Sequence, residues 1–143
     1  MENSKVSLEE IKNIIDGFAQ NNAALAERID FVIGVSRGGL IPAALLAARI
    51  DKPLVTAYID KNDVISFDRT EWITGKNILV VDDIIRSGKT LWLLKNYLGE
   101  NAVPAAISFY ALFRVIPLAQ PQFHVEAFAK DINCDVIFPW DNN

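Results

Sequence analysis

The chain of 143 residues carries a formal net charge of −4 and one cysteine, Cys134, which excludes an intramolecular disulfide. A domain of this length buries roughly two thirds of the surface its unfolded chain exposes, so it requires neither disulfides nor a structural metal. The acidic balance, with a pI near 4.9, excludes broad nonspecific binding of nucleic acid, which needs a dense array of Lys and Arg.

Ser7 and Glu10 form a capping box ahead of Leu8, Ile11, Ile15 and Phe18, whose spacing predicts an amphipathic helix starting near Leu8. A second helical piece, Asn22 to Arg28, continues it. Phe31 to Val35 is a β-branched apolar run that reads as a strand, ending at Ser36-Arg37-Gly38-Gly39. Leu40 to Arg49 is Ala/Leu-rich and helical, with Pro42 in the first turn, where its missing N–H costs little. Leu54 to Ile59 reads as the next strand. The stretch from Asp60 to Trp72 has no clear period and reads as either a mobile excursion or a weak hairpin. Gly75-Lys76 marks a turn. Asn77 to Asp82 is an apolar strand closing on two aspartates, and Thr90 to Leu98 is a helix with Gly99 as its C-cap. Val103 to Leu112 and Phe123 to Phe128 read as the last strands, before the tail Ile137-Phe138-Pro139-Trp140-Asp141.

Short apolar strands alternating with helices predict an α/β fold: a mostly parallel central sheet flanked by helices, in a single domain over residues 1–143. The first residues lack the pattern of a signal peptide, and no apolar run approaches the roughly 18 residues of a membrane span. The expectation is a cytoplasmic protein that does not engage membranes.

The segment from Asp82 to Thr90 concentrates the chemistry. A buried strand fixes where it begins. Gly88 permits close approach of backbone to a ligand. Ser87 and Thr90 offer hydroxyls, and the first N–H groups of the following helix have no partner within it. The helix dipole favours an anion there, so a phosphate would sit well. The adjacent carboxylates Asp82 and Asp83 suit a ribose diol, directly or through hydrated Mg²⁺. An ordinary strand–turn–helix with solvated side chains is the plainer reading, and the number of coordinated features weighs against it. Gly88-Lys89-Thr90 also matches the end of a G-x-x-x-x-G-K-[ST] phosphate loop, but that pattern needs glycine at position 83, which holds Asp83.

An apolar strand, two acids, two apolar residues and then x-[ST]-G-x-T resembles the phosphoribosyl pyrophosphate signature of type I phosphoribosyltransferases. Val35-Ser36-Arg37-Gly38-Gly39-Leu40-Ile41-Pro42 is similar to the pyrophosphate loop of the bacterial xanthine-guanine (purine) enzymes, and Pro139-Trp140-Asp141 to the end of their hood. The resemblance implies that Asp82 and Asp83 hold the ribose hydroxyls, partly through Mg²⁺. Arg86, Ser87, Gly88, Lys89 and Thr90 would wrap the 5′-phosphate. Ser36, Arg37 and Gly38 would meet the pyrophosphate across a cis Ser36–Arg37 peptide, with Arg37 neutralising its charge. The implied catalytic set is Arg37, Asp82 and Asp83, the implied partners are phosphoribosyl pyrophosphate and a small base or nucleotide, and the implied assembly is a homodimer. The stretch after Asp60 matches a flexible loop that closes over the reacting centre. Tyr58, Arg69 and Glu71 lie around it without assigned roles.

The base side departs from that pattern. Where the purine enzymes usually carry an Asp that assists proton transfer, this chain has Arg86, which stays protonated and cannot act as a general base. The lysine expected near Ala111 to Arg114 is missing, leaving Arg114 as a substitute. Asp135 falls where a ring should stack on the base, with Phe138 or Trp140 as alternative rings or core residues. Three readings stay open: a transferase with an altered acceptor, a purine enzyme with a rearranged pocket, and a noncatalytic module that binds phosphoribosyl pyrophosphate or a nucleotide. His124, the only histidine, reads as structural or surface. Leu91, Trp92, Leu94 and Leu98 read as a core helix face.

Overall fold

The computed structural model describes residues 3–141. In chain order the elements are β1 (Asn3–Lys5), α1 (Leu8–Asn21), α2 (Ala23–Arg28), β2 (Phe31–Ser36), α3 (Leu40–Ile50), β3 (Leu54–Ile59), β4 (Ile65–Phe67), α4 (Thr70–Ile73), β5 (Asn77–Ile85), α5 (Lys89–Asn101), β6 (Ala106–Val115), a 3₁₀ turn (Pro121–Phe123), β7 (Phe128–Ile132) and β8 (Asp135–Ile137). Six strands form one sheet in the order β4-β3-β2-β5-β6-β7. Every pairing in it is parallel except the edge pair β3–β4. Both faces are covered. Ile11 and Ile15 of α1 and Leu46 of α3 pack with Val32, Leu79 and Leu112 on one side. Leu91, Leu94 and Leu98 of α5 pack with Ile33, Val80 and Phe109 on the other. Burial on both faces explains why the strands read as continuous apolar runs rather than alternating ones.

Ser7 caps α1 as its spacing predicts, with Oγ accepting the Glu10 N–H at 3.1 Å. Asn22 breaks α1 from α2, so the second piece starts anew instead of continuing the first. The chain between β3 and α4 is a hairpin. Asp60 Oδ1 accepts the N–H groups of Asn62 and Val64, closing the turn that returns Ile65–Phe67 along β3.

Four expectations need correction. Strand β5 does not stop at Asp82 but runs to Ile85, because Ile84 and Ile85 are buried and pair in register with Phe113 and Arg114. Gly99 lies inside α5, not at its end: buried Leu98 and Ala102 on either side carry the helix to Asn101, outweighing a cost of about 1 kcal/mol for an internal glycine. Strand β6 spans Ala106–Val115 instead of 103–112, following its full-length pairing with β5. Pro121 opens a 3₁₀ turn, so the fifth strand begins only at Phe128.

The hood is a second, two-stranded sheet in which β1 and β8 pair in parallel, joining the two ends of the described chain. The order places β2 beside β5, while β2 leads on to β3 at one side and β5 to β6 at the other. This is the switch point at which open α/β sheets bind ligands, and the carboxyl ends of both strands meet there.

Gly34 and Gly17 test the packing from opposite directions. A Cβ on Gly34 in β2 would lie 2.9 Å from Ala43 Cβ in α3, whereas one on Gly17 in α1 would meet nothing within 4 Å. Gly34→Ala is expected to lower the free energy of unfolding by about 1–3 kcal/mol through overpacking. Gly17→Ala is expected to raise it by roughly 0.5–1 kcal/mol. Urea titrations of the two variants check both signs.

Candidate functional site

Two loops leave the adjacent strands. After β2 come Ser36, half-buried, and Arg37, exposed and without an ion pair among the described residues. The Ser36–Arg37 peptide is cis, as the resemblance implies. Gly38 and Gly39 then pack directly on β5. A Cβ at Gly38 would fall on the Asp83 carboxylate, and one at Gly39 would lie 2.5 Å from the Val81 carbonyl oxygen and 2.7 Å from that of Val35. The absence of side chains here brings the first loop against the acids of the second strand.

After β5, Arg86 to Gly88 make a short turn into α5. Gly88 adopts φ 88°, a left-handed conformation that suits glycine, and a Cβ there would sit 2.8 Å from the Phe123 carbonyl oxygen. Ser87 Oγ accepts the Lys89 N–H at 3.1 Å from just ahead of Gly88, the N-cap residue of α5. Thr90 and Leu91 follow in its first turn, where backbone N–H groups lack intrahelical carbonyls. Asp82, Arg86, Ser87, Gly88 and Thr90 line a concave space of about 210 Å³. Of the residues expected around a phosphate, Arg86, Ser87, Gly88 and Thr90 line this space and Lys89 does not. Ser36, Arg37, Gly38 and Asp83 lie outside that concavity, on the side where the first loop packs.

Asp82 faces the concavity and Asp83 packs against Gly38, with the two carboxyl groups close enough to interact. Asp82 lines the concavity, and its Oδ1 accepts the Asp83 N–H at 2.8 Å. Burial of its carboxyl group, reinforced by the charge of Asp83, raises its pKa well above the ordinary carboxylate range. The Asp83 N–H and the Arg86 charge only partly oppose this. Asp83 instead faces Gly38 and the hood: its Oδ1 accepts the Ile84 N–H at 2.8 Å and its Oδ2 the Trp140 indole N–H at 3.3 Å.

These carboxylates fit one kind of metal. Among the described residues no three His, Cys, Asp or Glu side chains gather into a protein-only cage. One or two carboxylates beside an open concavity would suit Mg²⁺, which keeps waters and shares its remaining positions with substrate oxygens.

Arg86 and Arg114, at positions expected near a base, are engaged in ion pairs. Arg86 donates from Nε at 3.0 Å and Nη2 at 2.8 Å to Asp135 Oδ1, linking the turn after β5 to the hood strand β8. Partial burial works against the charge of Asp135, yet Arg86 and the Val136 N–H hold its pKa below the ordinary value. Arg114, the expected substitute for a lysine, is committed to Asp131 at 2.7 Å across β6 and β7. Phe138 is buried in the core with Trp140 stacked on it, ring centroids 4.8 Å apart at 5°. Lys89 Nζ reaches Asp63 Oδ2 at 2.8 Å, so the tip of the β3–β4 hairpin touches the start of α5. His124 is at the surface against Glu126. Trp92 is half-buried against Phe123. The tie from Trp140 to Asp83 and the contact at Asp63 have no local sequence signal.

Comparison with known proteins agrees with this geometry. Residues 7–142 match the model of the phosphoribosyl transferase domain family. A xanthine-guanine phosphoribosyltransferase of Cereibacter sphaeroides is 29% identical over 148 aligned positions, covering 88% of this chain and 83% of that protein. The fold superposes on a purine phosphoribosyltransferase from Pyrococcus horikoshii with a TM-score of 0.81 at 23% identity, covering 100% of this chain and 96% of the other. It superposes equally, with a TM-score of 0.81 at 18% identity over 99% and 90% of the chains, on a protein from Neisseria gonorrhoeae solved with bound ppGpp.

Asp82 carries a cost to the fold that pH reveals. In the unfolded chain it ionises near pH 3.9, whereas the folded chain holds its proton to higher pH. The folded state therefore binds more protons across that interval. The contribution of Asp82 becomes less favourable as pH rises from about 4 through the folded value, then levels off. Asp82→Asn keeps an acceptor oxygen and cannot ionise. It is expected to raise the thermal midpoint at pH 7.5, where the wild-type group must ionise within the fold. That gain should shrink toward zero near pH 4 in calorimetric scans.

Proposed function

The chain belongs to the phosphoribosyltransferase domain family, and from that premise we propose that it transfers the ribose 5-phosphate group of phosphoribosyl pyrophosphate to a nitrogen of a purine-like base, releasing pyrophosphate. The observation that carries this reading is the concavity at the end of β5, where Asp82, Ser87, Gly88 and Thr90 converge beside unpaired helix N–H groups. In this reading Ser87, Thr90 and the backbone around Gly88 hold the 5′-phosphate, with the dipole of α5 favouring its charge. Asp82 and Asp83 orient the ribose hydroxyls. Arg37, exposed at the end of β2 and free of ion pairs among the described residues, meets the pyrophosphate and stabilises charge developing as it leaves. Asp82 and Asp83 would hold Mg²⁺ together with the substrate, and the ion would add to the neutralisation of charge on the leaving group. The hairpin tip at Asp63 is tied to Lys89 at the start of α5, next to the turn that would hold the phosphate. The names of the curated relatives support a purine as the acceptor.

One observation favours a second reading. Arg86 stands at the turn and is paired with Asp135, so the turn offers no carboxylate able to take a proton from the base. A noncatalytic module that binds phosphoribosyl pyrophosphate or a nucleotide would need none. The neighbour solved with ppGpp has the same fold.

Pyrophosphate release with Mg²⁺ and guanine, xanthine, hypoxanthine, adenine, uracil or orotate separates the two. The transferase reading expects turnover with at least one purine. It also expects a loss of about 100-fold or more in kcat for Arg37→Ala, the range seen when a group stabilising a developing anion is removed. Tight binding of phosphoribosyl pyrophosphate with no release from any base would establish the module instead.

A further inference from the structure

Asp83 is held from three directions by parts of the chain far apart in sequence. Its own strand supplies the Ile84 N–H to Oδ1 at 2.8 Å. The turn after β2 supplies Gly38, whose missing Cβ makes room for Oδ2. The hood supplies the Trp140 indole N–H to Oδ2 at 3.3 Å, from 57 residues away. The turn presenting that indole is itself tied down. Phe138 is buried, its ring stacks on Trp140, and its N–H donates to the Asp141 carboxylate at 2.8 Å.

We infer that Trp140 is a positioning residue for Asp83: its indole N–H fixes the carboxylate and leaves one acceptor position on each oxygen for a ribose hydroxyl or a water of hydrated Mg²⁺. The inference rests on the transferase-class reading of the site given above. Three physical points carry it. A carboxylate oxygen accepts about two hydrogen bonds, and each oxygen of Asp83 has one protein donor. The donor on Oδ2 is neutral, so it orients the group without bringing a positive charge to compete with a cation. Stacking on Phe138 requires only an aromatic ring, whereas the N–H of the indole makes its one hydrogen bond among the described residues to Asp83. A partner that locks a ligating carboxylate from behind lowers the entropy lost when ligand binds, and losing such partners costs roughly 10–100-fold in affinity or activity.

Trp140→Phe keeps the ring and removes the donor. It is expected to leave the thermal midpoint within about 2 °C of wild type, the scale of a fraction of a kcal/mol. Calorimetry with phosphoribosyl pyrophosphate and Mg²⁺ should show affinity weakened about tenfold or more. In an Asp83→Asn background the same change should add less than about twofold, because Trp140 acts through Asp83. The contact is read separately, without ligand, from the Trp140 indole proton by NMR: it should resonate downfield, exchange slowly and move on Asp83→Ala. An indole resonance indifferent to Asp83→Ala overturns the inference. So does wild-type affinity in Trp140→Phe, or an undiminished loss in the double variant, and either leaves the transferase-class reading standing. A wild-type chain that takes up no phosphoribosyl pyrophosphate, while its indole still responds to Asp83→Ala, fails the functional reading and removes this role with it.

Discussion

Gly38 and Gly39 let the turn after β2 lie on the end of β5, with backbone where side chains would otherwise stand. Close-packed interiors tolerate little displacement, so a Cβ at either position would push the two loops apart. Their separation matters because each brings a different kind of group: an exposed arginine from one, a pair of acids and a concavity from the other. The sheet order makes the approach available, since β2 and β5 are neighbours and their carboxyl ends point the same way. Topology supplies the meeting place, and the glycines set how closely the loops meet.

The charges around this place are sorted rather than scattered. Lys89 and Arg86 flank the cradle, and each is paired with a carboxylate from elsewhere in the chain, Asp63 on the hairpin and Asp135 on the hood. All four side chains are substantially exposed, so these pairs contribute little to stability. Their effect is geometric, fixing where a hairpin tip and a short strand sit relative to the cradle. Arg37 is left outside such pairs, and Asp82 bears the cost of burial beside another acid. Groups strained in this way are tolerated where a ligand relieves them. In the transferase reading, a cation or sugar hydroxyls at Asp82 would relieve that cost.

Much of this was legible from the chain. β-Branched runs and helical spacing placed the core strands and helices, because a parallel sheet buried on both faces writes itself as uninterrupted apolar segments. The turn from Arg86 to Thr90 was legible because Gly88, Ser87 and Thr90 each meet a backbone or hydroxyl requirement within five residues. What failed to show was set by distant partners. Ile84 and Ile85 extend β5 because β6 offers matching residues, a fact carried by Phe113 and Arg114 and not by their own neighbours. Gly99 reads as a helix end, but packing of Leu98 and Ala102 overrides its propensity. Three-residue strands such as β1 and β8 are too short to have a period, and their pairing joins opposite ends of the described chain.

Arg86 shows how one substitution in an otherwise well-matched loop changes more than one property of a site. An acid at that turn would offer a proton acceptor and would repel Asp135. The guanidinium offers only donors, and it directs two of them to Asp135, bringing the hood strand against the phosphate turn. The same hood carries Trp140 to Asp83 a few residues later. The strand β8 and the turn after it therefore touch both acid-bearing halves of the site, one through a charged pair and one through a neutral hydrogen bond. Since Val136 and Phe138 between these two contacts are buried, neither can shift far without dragging the other through the core. A substitution at Arg86 that breaks its pair with Asp135 therefore bears, through the six residues from Asp135 to Trp140, on the hydrogen bond from Trp140 to Asp83.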